Sequence, residues 1–292
     1  MNVNWSSYVQ GINTLYYSRK LRFDDRFAPE YKRIMALDQE KPLKILEIGC
    51  GPGALAGALK RWYPKAEITG VDLDTAFIRF AEKNVPGATF LEGDATSLPF
   101  EDETFDVTIS NTVSEHIETT AFYGEQMRVL KKGGVCIVLS VRRGYRQKSA
   151  FEASTEYENA FWEKISKLDD SMERFQVAKY AASEKGLMEN MHLSGFVNLS
   201  SGYAISNLTP DNPDIPGDMA IEMINAHRYN DLDAIKSAKD SLPAHVTDEE
   251  FSEMTRLANE KYDKRIEKYL SGEKEWDTTV SIVQIARGVK PE

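Results

Sequence analysis

The chain has 292 residues, 41% hydrophobic and 28% charged, a globular balance that excludes a disordered or low-complexity protein. Its formal net charge of −10 repels phosphate backbones, so nucleic acid is not an expected partner. The length suits one large domain, or one domain with a smaller cap.

The first residues, Met1 to Trp5, lack the basic and apolar regions of a secretory signal. No uncharged apolar run is long enough to span a bilayer, so no membrane partner is expected. Cys50 sits in a glycine turn and Cys136 in an apolar run, without zinc-site or disulfide spacing. Reduced thiols in a cytoplasmic protein are the simplest account. The one basic cluster, Arg142, Arg143, Arg146 and Lys148, reads as a solvated strand end.

From about Lys44 to Val141, short apolar runs alternate with helical patterns, which predicts a parallel sheet flanked by helices. Strands are expected at Lys44–Ile48, Ile68–Asp72, Thr89–Leu91, Phe105–Ser110 and Val135–Val141. Helices are expected at Ala54–Trp62 and Ala76–Asn84, the latter with Ile78 and Ala81 inward. A third helix is expected to be capped by Thr120 and to stop at Lys131-Lys132-Gly133-Gly134. Residues 150–193 read as mostly helical, marked by Phe151, Phe161, Trp162, Ile165 and Leu168. A sixth strand is expected at Gly195–Leu199, then a polar, proline-rich stretch from Asn207 to Gly217. Thr247 to Glu250 has capping-box spacing and opens a helix whose stripe is Phe251, Met254, Ala258, Tyr262, Ile266 and Leu270. Thr279–Ala286 alternates as a last strand.

Glu47-Ile48-Gly49-Cys50-Gly51-Pro52-Gly53 is a glycine-rich turn between strand and helix, where a ligand can approach the backbone and free N–H groups. Gly49, Gly51 and Ala54 also fit the G-x-G-x-x-A pattern of a dinucleotide site. Asp72 ends the second strand, where an acid accepts from ribose hydroxyls, again in either class of site. After the third strand come Asp94, suited to an adenine amine, and Ala95, whose N–H suits the ring. Phe105-Asp106 then leads through Asn111 to Glu115-His116-Ile117 and on to Arg128-Val129-Leu130-Lys131-Lys132-Gly133-Gly134.

In combination these motifs resemble the class I, Rossmann-like S-adenosylmethionine-dependent methyltransferases of small-molecule type. Lys132 stands where that family usually has proline. The resemblance covers about 43–141, Gly195-Phe196 and the terminal strand. It implies a seven-stranded α/β sheet with its last strand antiparallel, and S-adenosyl-L-methionine as cofactor. It implies that Glu47 orients the loop and reaches the cofactor amine. Gly49, Cys50, Gly51 and Gly53 would pass beside the methionine and ribose portions, Asp72 would take the ribose hydroxyls, and Leu73 would pack on adenine. Asp94 and Ala95 would read the adenine edge, and Asn111 would lie under the methionyl part.

Other readings stay open: an NAD(P)-binding oxidoreductase, or a cofactor-binding module without turnover. Against the first, the only Y-x-x-x-K, Tyr16 to Lys20, precedes the first strand rather than following the fourth. Ser110-Asn111-Thr112-Val113 lacks the proline pair of the adenine and glutamine N-methylating enzymes. That leaves O-, N-, S- or C-methylation of a small molecule. Glu115 and His116 are the candidate catalytic pair, as a base or as a metal site like that of some quinone O-methyltransferases with a similar acid–His run, or His116 merely caps the next segment; the latter is favoured, so no resident metal is expected. Residues 1–35 form the expected helical lid, with Tyr16 and Arg19 toward the cofactor or with its aromatics packed on the core. The expected core is 36–142 with 195–203 and 278–292. The insertions 143–194 and 204–277 form the expected substrate cap, its pocket walled by Tyr145, Phe161, Trp162, Tyr203 and Tyr229.

Overall fold

The structure is a computed structural model describing residues 5–149 and 153–292, so Phe151 lies outside the described residues. A short α1 (Trp5–Tyr8) leads into α2 (Ile12–Arg22) and α3 (Ala28–Met35). Then come β1 (Lys44–Ile48), α4 (Ala54–Trp62), β2 (Glu67–Asp72), α5 (Thr75–Asn84), β3 (Thr89–Glu92) and β4 (Phe105–Asn111). All four expected elements from β1 to α5, and β3 and β4 after them, fall within a residue of their expected bounds. Buried apolar strands and glycine or Asp caps set their ends sharply.

The next helix, α6 (Thr119–Val129), differs from expectation at both ends. Its cap is Glu118, not Thr120: the Glu118 carboxylate accepts from the N–H groups of Thr120 and Ala121. It stops at Val129, because Leu130 pairs with Phe105 and the Lys131 ammonium reaches Asp106 Oδ1 at 2.8 Å. The Lys-Lys-Gly-Gly run therefore opens β5 (Leu130–Gln147) instead of closing a helix. Gly134 is needed there: a Cβ on it would stand 2.7 Å from the Lys131 carbonyl oxygen.

After β5 come α7 (Glu156–Leu168), α8 (Ser171–Arg174), α9 (Glu184–Leu193), β6 (Val197–Leu208), α10 (Gly217–Ser241), α11 (Asp248–Ser271) and β7 (Thr278–Val289). The sheet order is β3-β2-β1-β4-β5-β7-β6. β1 to β5 run parallel, and β7 is antiparallel to both neighbours. β5, β6 and β7 are all longer than their sequence pattern. β7 pairs with β5 out to Gln147 and with β6 out to Leu208, past 142 and 203. This extension is half solvated, so the expected pocket walls Tyr145 and Tyr203 are exposed side chains on it.

One face of the sheet packs on α3, α4 and α5 through residues such as Tyr31, Leu59 and Ile78. The other packs on α6 and α9 through Phe122, Leu187 and Met191. α7, α10 and α11 share a separate small core, in which Phe161 and Ile165 meet Ile235, Met254 and Ala258. The expected capping box at Thr247 and Glu250 is present.

At its far end the α11 stripe changes character. Leu270 is exposed, and the residue buried there is Arg265, at 0% exposure. Its guanidinium donates to Asp277 Oδ1 (2.9 and 2.6 Å) and to Asp211 Oδ2 (2.8 Å). Asp211 also accepts from the N–H groups of Glu275 and Trp276. This cluster ties α11 to the loop before α10 and to the start of β7. Arg265→Ala would leave two buried carboxylates without their cation, at an expected cost of about 3–5 kcal/mol. Urea denaturation measures it, and a loss below about 1 kcal/mol would show that the cluster adds little.

Candidate active site

β1, β2, β3 and β4 end side by side at one edge of the sheet, the edge where open α/β folds bind ligands. The turn from β1 to α4 is built from glycines with positive φ at Gly49, Gly51 and Gly53. A Cβ on Gly49 would stand 2.4 Å from Val113, so that glycine lets the β4 loop close over the turn. Gly51 is different: a Cβ there would meet only Arg19 Nη1, at 3.4 Å. The backbone at Gly51 is thus open to a ligand on the side that Arg19 borders. Cys50 beside it is buried, and burial pushes its thiol well above the ordinary range, so it is an inert packing residue.

Asp72 fixes the shape of this turn. Its Oδ2 accepts from the Gly51 N–H at 2.8 Å and its Oδ1 from the Asp74 N–H at 2.9 Å. Each oxygen keeps a lone pair for a further donor. Glu47, next to last in β1, is at 2% exposure, with Oε2 unpartnered. Asn111 ends β4, also at 2%, with both side-chain amide atoms unpartnered. Leu73 is exposed beside Asp72 and offers an apolar surface. Asp94 is exposed, and its Oδ1 already accepts from the N–H and hydroxyl of Thr96, leaving one oxygen; Ala95 is half-buried.

Arg19 brings the charge to this group. Its Nη2 donates to Thr112 Oγ1 at 2.8 Å, and its guanidinium acts on Glu47, Asp72 and Glu115. Burial, and then the neighbouring Arg22, lower its pKa to about 10. Burial raises Asp72 and carries Glu47 up to about 8, with Arg19 opposing both shifts. Thr112 has φ +55, a strained conformation for a β-branched residue. That backbone aims its hydroxyl between the Asn111 carbonyl and Arg19.

His116 and Glu115 lie beside this group and accept backbone N–H groups from the segment after α8. His116 Nδ1 accepts the Ala178 N–H at 2.9 Å, which puts the ring proton on Nε2. Burial, then Arg19, depress its pKa to about 4, so it is neutral and weakly basic. Its ring lies edge-on to Trp5. The Glu115 carbonyl accepts the Tyr180 N–H, so the pair pins the segment after α8. The Glu115 carboxyl is raised by burial, with Arg142 and Arg19 opposing. Among the described residues, no three His, Cys, Asp or Glu side chains are grouped to hold a metal.

Tyr16 is set among aromatic side chains. It packs edge-on against Phe80 of α5 and Tyr17, as the packed-aromatic alternative holds. Of the expected cap aromatics, Phe161 fills the α7–α10–α11 core, Trp162 lines a cavity, and Tyr229 stacks on Tyr17. Sequence reasoning missed Thr112 and Asp233. Asp233 of α10 accepts from the Thr14 N–H (2.8 Å) and hydroxyl (2.9 Å) and so caps α2 from outside. A Cβ on Gly11 would stand 2.2 Å from that carboxylate, and this glycine was the one local signal.

The fold and its ligand edge define a Rossmann-like α/β protein. Residues 46–138 match the family model described as a methyltransferase domain. A phthiotriol/phenolphthiotriol dimycocerosates methyltransferase of Mycobacterium ulcerans is 39% identical over 102 residues, 34% of this chain and 38% of that protein. A fatty-acid O-methyltransferase of Mycolicibacterium smegmatis is 38% identical over 106 residues, 35% of this chain and 38% of that one. The matches thus span less than half the length of these relatives. A Haemonchus contortus phosphoethanolamine N-methyltransferase, solved with phosphomonomethylethanolamine and S-adenosylhomocysteine, shares the fold: TM-score 0.53, 18% identity, covering 100% of this chain and 61% of that one. Over residues 46–138, about a third of its length, the chain is thus similar to a methyltransferase domain, on a fold of the Rossmann-like class.

The buried Glu47 carboxyl makes stability depend on pH. The folded chain keeps its proton up to about 8, whereas the unfolded chain loses it near 4.5. The folded state binds more protons across that window, so this group's contribution to stability is lost as pH rises through it. Glu47→Gln should match the native chain near pH 4 and exceed it by about 4 kcal/mol at pH 8. Thermal melts across this range decide it; curves that run parallel at all pH values would contradict the burial assignment.

Proposed function

We propose that this chain transfers the methyl group of S-adenosylmethionine to a small-molecule acceptor. The observation that carries the reading is the set of buried polar atoms lacking protein partners at adjacent strand ends, Glu47 Oε2 and both amide atoms of Asn111, beside the open backbone of Gly51. Leaving such atoms unpaired costs about 1–3 kcal/mol each, and a ligand with an ammonium group and hydroxyls satisfies them. When bound, the cofactor supplies an electrophilic methyl on a sulfonium.

In this reading Glu47 accepts from the cofactor amine and Asn111 supports the methionyl portion. Asp72 takes hydroxyls with its remaining lone pairs, and Leu73 packs on the purine. The second oxygen of Asp94 and the Ala95 N–H read the purine edge. Arg19 faces the carboxylate end and supplies the positive charge there. Transfer is an in-line displacement, so the chain's main task is alignment. Where the acceptor carries a proton, Glu115 is the candidate base, because burial raises its carboxyl above the ordinary value while His116 is driven down.

Residues 1–35 act as a cover, 36–142 with 195–203 and 278–292 as the cofactor core, and 143–194 with 204–277 as the acceptor cap. The fatty-acid O-methyltransferase similarity supports a small-molecule acceptor. The net charge of −10 argues against nucleic acid. No helix among the described residues is long and apolar enough to cross a membrane. The free, buried thiols of Cys50 and Cys136 fit a cytoplasmic setting.

Calorimetry with S-adenosylhomocysteine and NAD tests the cofactor. S-adenosylhomocysteine is expected to bind and NAD to bind far more weakly; the reverse order would end the proposal. Asn111→Leu sharpens the test. It removes two unpaired buried atoms at similar volume, so the free protein should melt no lower than native. S-adenosylhomocysteine affinity should fall about tenfold, or about 1.4 kcal/mol. An unchanged affinity would take Asn111 out of the site.

A further inference from the structure

Beside Arg19, on the neighbouring face of α2, lies a cavity of about 240 Å³. It is enclosed by α2, α10 and the outer ends of β5, β6 and β7, and its wall includes Arg22, Arg146, His227, Asn230, Asp277 and Thr279. It sits at the same edge of the sheet as the ends of β1 and β4, because β5 and β6 run parallel to them.

The charges around this cavity do not cancel. Asp277 is bound to Arg265, and Asp211 balances that guanidinium together with Lys274, 4.0 Å away. His227 is neutral: burial, then Arg146 and Lys148, push its pKa down to about 3, and its Nε2 meets the Thr279 hydroxyl at 3.1 Å. Arg146 has a partner of its own. Asp233 is committed to the α2 cap, and Glu222 pairs with Lys20 on the surface. Arg22 remains. Its Nε is buried without a partner, and its guanidinium makes no hydrogen bond or ion pair with the described residues. Its electrostatic neighbours are Arg19, of like sign, and the buried Tyr31 phenol. A half-buried cation on a cavity wall with no anion opposite it is a vacancy for an anion.

We infer that this cavity receives the acceptor molecule by an anionic oxygen group, a carboxylate or a phosphate monoester, held by the Arg22 guanidinium. The assignment of this ligand as the acceptor rests on the methyltransferase reading. Both groups match the donor fork of arginine. A second cavity of about 190 Å³ shares Gln10, Thr14 and Asn230 with the first. Its wall is apolar where Trp162, Ile165, Ala238 and Leu242 face it, so it suits the hydrocarbon body of the same molecule. The acceptor is therefore amphipathic, with its anionic end one helical turn from Arg19.

The test uses the full chain with S-adenosylhomocysteine present and follows binding of octanoate, octyl phosphate and octanamide by calorimetry. One of the anions should bind at least about tenfold tighter than the neutral amide, and the stronger of the two identifies the group. In Arg22→Gln that preference should vanish, and Arg22→Lys should keep part of it. S-adenosylhomocysteine affinity of Arg22→Gln should stay within about twofold of native. Its ligand-free melting temperature should equal or exceed native, since an unpaired buried charge has gone. The inference is overturned if octanamide binds as well as the anions, or if Arg22→Gln retains the preference. It is overturned too if that variant melts lower, which would mark a structural role, or loses S-adenosylhomocysteine, which would assign Arg22 to the cofactor. If the native chain fails to bind S-adenosylhomocysteine yet binds an anion through Arg22, the methyltransferase reading falls and the anion site stands.

Discussion

The guanidinium of Arg19 is the charge against which the buried carboxylates of the strand ends are balanced. Parallel strands deliver Glu47 and Asp72 to one edge, and the β4 loop adds Glu115, all in surroundings that penalise their charged forms. The sheet supplies a cation only to Glu115, through Arg142 of β5, and none to Glu47 or Asp72. The cation facing Glu47 and Asp72 comes from α2, a helix that precedes β1 and has no place in the sheet's topology. Everything that fixes α2 therefore fixes the electrostatics of the site. Leu15 and Leu21 bury its apolar side, Asp233 caps its N-terminus, and the Ser7 carbonyl before it accepts from Ser237 of α10. The preceding α1 is tied to the loop after β2 by the Ser6 N–H, which donates to Asp74.

These ties couple regions that the chain order separates. α2 touches the cofactor turn through Arg19 and the cavity through Thr14, Ser18 and Arg22, on neighbouring faces of one helix. It is also bound to α10, which forms the cavity's other wall. Movement of α2 away from Gly51 breaks the Asp233 cap or carries α10 with it. Access to the cofactor edge and access to the cavity are in this sense one conformational event.

Most of the parallel half of the sheet was legible in the sequence because its signals are local. A buried run followed by glycines gave β1, its turn and α4 to the residue, since each end is set by a neighbour in the chain. The antiparallel half was not, because its strand lengths are set by pairing across long separations. Nothing near Arg143 or Tyr203 in sequence says that β7 will run beside them. The Lys131–Gly134 run misled for the same reason: basic residues followed by glycine do end helices, but here Asp106 draws Lys131 into the sheet. Arg265 was hidden by its own stripe. Its period fits an inward position, yet an arginine reads as surface until its two acids, far off in sequence, are placed. The candidate site divides along the same line. Glu47, Gly51, Asp72 and Asn111 follow from strand ends, whereas the isolation of Arg22 appears only once every neighbouring charge has been paired.

That difference in pairing separates scaffold from site. Lys261 meets Glu158 with both side chains nearly buried, Arg128 holds the β3–β4 connection through Glu125, Asp102 and two carbonyls, and Arg265 has two acids. Single orphaned atoms also occur in the scaffold, as at the Tyr63 hydroxyl, and there the rest of the side chain packs in the core. Asn111 differs because its whole amide is orphaned at a strand end, and Arg22 because it is a full charge facing a cavity. Natural chains keep such groups only where something outside the chain completes them, since substitution by an apolar residue is the easier route to stability. The two vacancies lie on neighbouring faces of α2 and are opposite in kind. One offers acceptors and a neutral amide to a cationic, hydroxyl-bearing ligand, the other a cation to an anion. Two ligands of unlike charge can therefore approach a common wall without competing for one site, which is the arrangement a group transfer between them requires.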